Sequence, residues 1–180
     1  MKNTHPRFTR AALGSLLLVS SLAGAVDQYK VAIPATSTFT QAARTSEDAY
    51  VFFRGQATLQ VRYRFTYDRE NRDHLGLVFM PDANALARLP YLIERGAPDR
   101  PTEIIVLNPK DAATALLSEE LASQLKAGTD KEILGTAAVV IADYAAGYDC
   151  DSPTFIARFV SLEQVVVAAS AMPAHGKEGC

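Results

Sequence analysis

Apolar and polar side chains alternate with a period of two over residues 50–68. Val51, Phe53, Ala57, Leu59, Val61, Tyr63, Phe65 and Tyr67 share one side, while Thr58, Gln60, Arg62, Arg64 and Thr66 share the other. That is the pattern of a half-buried pleated strand, whose successive side chains point to opposite faces. A straight strand this long would exceed the usual range of about three to ten residues. Gly55 is therefore expected to mark a bend or bulge where the chain turns a sheet corner.

Upstream, Tyr29, Val31 and Ile33 alternate before Pro34 and a Ser/Thr-rich stretch, which reads as a short edge strand and a loop. Downstream, residues 68–74 carry no apolar side chain and read as a solvated turn, with residues 75–80 as the hairpin partner. Asp82 can cap a helical segment that Pro90 kinks and Gly96 ends, followed by a loop over residues 96–102. A strand at residues 103–108 leads to Asn108 as a cap, Pro109 at the first helical position and Asp111 in the first turn. Ala112, Ala113, Leu116, Leu117, Leu121 and Leu125 then recur at three- to four-residue spacing, the stripe of an amphipathic helix with a second cap at Ser118.

The last strands are expected at residues 134–141, where Gly135 echoes Gly55, and at 155–167, a run apolar on both faces that suits a central strand. The segment from Asp143 to Pro153 is read as the crossing between them. The expected fold is α+β: a curved, mostly antiparallel sheet or partly closed small β-barrel, loosely OB-like, with a helical insertion before the final strand hairpin.

The start of the chain changes the address. Lys2, Arg7 and Arg10 precede an apolar run at residues 11–22, and Ala23-Gly24-Ala25 supplies small residues for cleavage. Residues 1–25 thus read as a secretory signal peptide. The run is too short for the ~20 residues that span a bilayer, so the cleaved chain is expected not to be membrane-spanning. Residues 26–168 are read as one α+β domain and 169–180 as a flexible C-terminal tail. The expected location is periplasmic or secreted, in a bacterium.

Of 18 basic and 20 acidic side chains, the leader holds three basic ones, so the remainder carries 15 against 20, or −5. An acidic balance argues against nucleic acid as a partner. Cys150 and Cys180 both lie in the exported part, where an oxidising compartment favours a disulfide between them.

Catalytic patterns are missing: there is no G-x-S-x-G, H-E-x-x-H, paired C-x-x-C or phosphate-cradling glycine loop. No cofactor is implied, and the reading leans away from an enzyme. Two polar sets remain as candidate partner-binding groups. Arg54, Arg62 and Arg64 form a basic stripe on the polar side of the long strand, suited to an acidic protein or an anionic glycan. Tyr144 and Tyr148 flank the Cys150 segment as a possible aromatic recognition edge.

Over Tyr148, Cys150 and Asp151 the chain resembles the first-cysteine strand of periplasmic C-type lysozyme inhibitors. It has no counterpart of their inhibitory Ser-Gly-x-x-Tyr loop, and the helical insertion is foreign to their barrel, so the resemblance stops at those residues. The first expectation is an exported non-enzymatic protein that binds an envelope protein or glycan through its sheet. The alternatives are an inhibitor of an envelope-directed hydrolase such as lysozyme, acting through the Tyr144–Pro153 segment, and an envelope-polymer hydrolase using Asp143 and Glu163.

Overall fold

The computed structural model describes residues 30–42, 50–67, 74–94, 97–127, 131–149 and 152–173. The long alternating stretch forms two strands, β3 (Tyr50–Arg54) and β4 (Gln56–Tyr67), separated by Gly55 at φ 122°. Before them lie β1 (Lys30–Ala32) and β2 (Thr40–Gln41); after them come β5 (Leu75–Pro81), the short helix α1 (Ala83–Leu86), β6 (Tyr91–Glu94), β7 (Ala97–Asp99) and β8 (Ile104–Val106). Helices α2 (Pro109–Leu116) and α3 (Glu119–Lys126) precede a pair of long strands, β9 (Lys131–Asp149) and β10 (Ser152–Pro173).

Most of the described chain is strand. A seven-stranded sheet runs β10-β8-β5-β4-β9-β3-β2, and β10 also pairs with β9, so that β4, β5, β8, β10 and β9 close a ring. All its pairings are antiparallel except β8 with β10. A separate sheet, β1-β6-β7, lies outside the ring. The architecture agrees with the expected α+β class and with the helical segment ahead of the final hairpin.

The bend is a bulge. Phe52 faces Ala145 and Gln56 faces Ala142, so Phe53, Arg54 and Gly55 oppose only Asp143 and Tyr144. Glycine suits its position twice over: its φ is left to residues without a side chain, and a β-carbon there would stand 2.5 Å from the Thr38 carbonyl oxygen.

Ring closure turns one face of every strand inward. Leu59, Val61, Tyr63 and Phe65 of β4, Leu77 and Phe79 of β5, Ile104 and Val106 of β8, Val139 and Ile141 of β9, and Phe155 and Phe159 of β10 are buried together. Burying each such side chain contributes about 1.5–3 kcal/mol. Ala112 and Leu116 of α2 and Leu125 of α3 join that core. Ser118 caps α3, its Oγ accepting from the Leu121 amide, and Glu119, Glu120 and Lys126 sit at the helix ends that suit their charges.

Several expectations need correction. The helix beyond Asp82 is a single turn: Asp82 caps it as expected, but Pro90 removes an amide and restricts Leu89, and Tyr91–Glu94 continue as strand. Ala97–Asp99 of the expected loop pair with β6. Asn108 makes no side-chain cap for α2. Its amide instead serves β10, donating from Nδ2 to the Phe159 carbonyl at 3.0 Å and accepting the Phe159 amide at Oδ1 at 2.8 Å. The side chain thus adds one more rung to the short parallel β8–β10 pairing.

The boundary placed at residue 168 also moves. Ser170, Ala171, Met172 and Pro173 pair with Leu134, Ile133, Glu132 and Lys131, so β10 extends through the first part of the expected tail. The composition misled there, because the side chains that turn inward, Ala169 and Ala171, are small and alternate with Ser170 and Met172, which gives little contrast in hydrophobicity. Residues 1–25, Cys150, Asp151 and residues 174–180 lie outside the described residues, and with them the signal peptide and the Cys150–Cys180 bridge.

Candidate binding surface

The outer face of the ring is built from the even-numbered residues of β4 and their cross-strand neighbours. Arg62 stands opposite Met80 on β5 and Thr136 on β9. Arg64 stands opposite Val78 and Leu134, Val78 opposite Ile105, and Ile105 beside Ile156 on β10. Directly opposed side chains have β-carbons about 4.5–5.5 Å apart, so these residues form a continuous row around the ring.

That row is mostly apolar and partly open to solvent. Ile105 is 47% exposed and Leu107, just beyond β8, is 55% exposed. The Leu107 amide donates to the Ala157 carbonyl at 2.9 Å, holding this end of β8 against β10. Arg64 Nη2 donates to Glu103 Oε1 at 3.1 Å across the rim of the patch. An ion pair this exposed contributes about 0–1 kcal/mol. Arg62 is exposed and makes no hydrogen bond or ion pair among the described residues.

The three arginines do not form one stripe. Arg54 lies on β3 opposite Thr40, beyond the bulge, eight residues from Arg62 and hence roughly 26 Å away along an extended strand. Arg62 and Arg64 share a face, but Arg64 is engaged by Glu103, whereas Arg62 has no ionic partner among the described residues.

Tyr144 is not a recognition residue; it is fully buried. Its hydroxyl donates to the Pro90 carbonyl at 2.7 Å, and its ring lies against Phe39, Phe53 and Phe155 at centroid distances of 5.3, 5.6 and 6.4 Å. Burial pushes its pKa well above the usual tyrosine value. The inversion comes from Asp143, whose φ of 51° shifts the strand by one residue, so that even-numbered side chains turn inward after it. Tyr148 is half-buried, its hydroxyl donating to Asp99 Oδ2 at 3.0 Å near the outlying sheet. Residues 144–149 and 152–153 belong to β9 and β10, with Asp149 paired to Ser152.

Asp143 accepts from Arg158 Nε at 2.6 Å in an exposed pair. Glu163 lies five residues beyond Arg158, roughly 16 Å along the strand, so the two carboxylates suggested for hydrolysis do not converge. Among the described residues, no group of three or more His, Cys, Asp and Glu side chains is placed to hold a metal ion, and no helix is long and apolar enough to cross a membrane.

Ile105 and Leu107 were not singled out from sequence, because the short apolar run Ile104–Leu107 has no alternation that tells its two faces apart. Only ring closure tells which of its alternate positions face out. No protein-family model, curated protein or solved structure matches the chain.

Proposed function

We propose that this chain is an exported, non-enzymatic protein that binds another protein of the bacterial envelope through the outer face of β4, β5 and β8. The observation that carries this reading is the contiguity of Met80, Val78, Ile105 and Leu107 with Arg62, which is exposed and has no ionic partner among the described residues. An apolar patch edged by arginine is the composition of a protein-binding surface. Its apolar members are aliphatic, which suits a protein side-chain surface better than a sugar ring, which favours aromatic platforms.

Support for the OB-like reading comes from the ring order β4-β5-β8-β10-β9, with the helices inserted between the third and fourth of these strands in sequence. Barrels of that kind use the face of their second and third strands for ligands, here β5 and β8. This is analogy of fold and adds only to the choice of face.

Affinity capture from a periplasmic extract tests the reading. The wild type should retain a partner that Arg62→Glu and Ile105→Asp each lose, while both variants keep the wild-type circular dichroism. Equal capture by all three proteins removes the outer face from consideration.

A further inference from the structure

Between Ile156 and Phe159, β10 is bonded on both sides: to β9, and to β8 and the Asn108 amide on the other edge. Past Phe159 the only strand beside it among the described residues is β9. Every residue from Glu163 to Ala168 is exposed, including Val165, Val166 and Val167 in succession. Unpaired amides and carbonyls on a long strand edge are a template for another strand.

Edges are usually guarded by charges, prolines or bulges. Glu163 is the single charge between Arg158 and Pro173, and no proline interrupts that stretch. Register slips against β9 do bend the strand. They leave the valines outside all the same.

We propose that two copies of this chain associate through this edge, residues 163–169 of one protomer lying antiparallel to the same residues of its partner. Charge and composition favour a second copy over an unrelated strand. About a two-fold axis at Val166, the valines of one protomer meet those of the other, and Glu163 faces the partner's Ala169, so like charges stay apart. Any strand seated here must be nearly uncharged and apolar, and β10 itself meets that requirement. One edge alone falls short of the ~800 Å² per partner of a standard interface, so the association is weak and depends on concentration.

Sedimentation velocity of the purified protein from about 1 to about 500 μM, under reducing conditions so that no cysteine bridge contributes, reads this directly. The wild type should shift from monomer to dimer, and Val166→Lys should weaken that shift about 100-fold with an unchanged circular dichroism spectrum. Ile105→Lys, on the outer face assigned to a partner protein, should dimerise as the wild type does. A wild type that stays monomeric throughout, or a dimer that Val166→Lys leaves intact and Ile105→Lys abolishes, overturns the proposal. The outer-face reading stands or falls separately.

Discussion

The Tyr63 hydroxyl oxygen occupies the space that a side chain on Gly135 would need: a β-carbon there would stand 2.2 Å from that oxygen and 2.3 Å from Tyr63 Cζ. The two residues are direct partners across β4 and β9. By crossing over the glycine, the buried ring reaches α2, where its hydroxyl donates to the Leu116 carbonyl at 3.4 Å, one of the groups a helix end leaves without an internal acceptor role filled. Gly135 and Gly55 therefore differ in kind despite their similar sequence settings. One makes room for a ring; the other permits a backbone conformation.

Gly135→Ala should lower stability by about 1–3 kcal/mol, the usual cost of overpacking. Tyr63→Leu alone should cost about 2–4 kcal/mol through lost packing. Because the clash disappears with the ring, the double variant should be less destabilised than the two effects added together, by about 1 kcal/mol or more. Urea unfolding of the four proteins measures that coupling.

Asn108→Ala removes the paired hydrogen bonds to Phe159 and leaves its backbone groups short of partners, at a cost of about 1–3 kcal/mol. Asn108→Asp should also destabilise, since a carboxylate loses the Nδ2 donor and faces both the Phe159 carbonyl and Asp111 Oδ2. Hydrogen exchange should quicken first at Phe159 and along β8 in either variant.

Tyr144 and Tyr63 make the fold sensitive to alkali. Burial raises both pKa values above 10.0, so each tyrosine holds its proton more tightly in the folded chain than in the unfolded one. Their contribution is complete below pH about 10 and is lost as the pH rises from there toward the folded-state values. Tyr144→Phe should lower stability by about 1 kcal/mol at neutral pH through the Pro90 hydrogen bond. It should also flatten the fall in stability above pH 10, as seen in urea unfolding at a series of pH values.

How far these features were legible in sequence depended on whether a local pattern survives tertiary contact. The alternation around Tyr63 gave β4 and its inward face, Gly55 gave the bulge, and Pro109 and Ser118 gave a helix start and a cap, although the single helix expected across them is broken by the extended Leu117 into α2 and α3. Tyr144 was misplaced because a single left-handed residue, Asp143, reverses the alternation, and a sequence window shows no sign of that slip. Arg62 was found by the same period that found β4. Ile105 was missed because its exposure depends on how β8 is flanked by β5 and β10, contacts distant in sequence.

A photoreactive amino acid placed at position 105, and separately at position 52, tests the outer-face assignment most directly in cells producing the full chain. Both side chains are exposed, Ile105 on the outer face of β8 and Phe52 beyond the bulge on β3. Irradiation should give a discrete cross-linked species from position 105 that Arg62→Glu diminishes, and none from position 52. Cross-linking from position 52 with none from position 105 would contradict the assignment of this face as the binding surface.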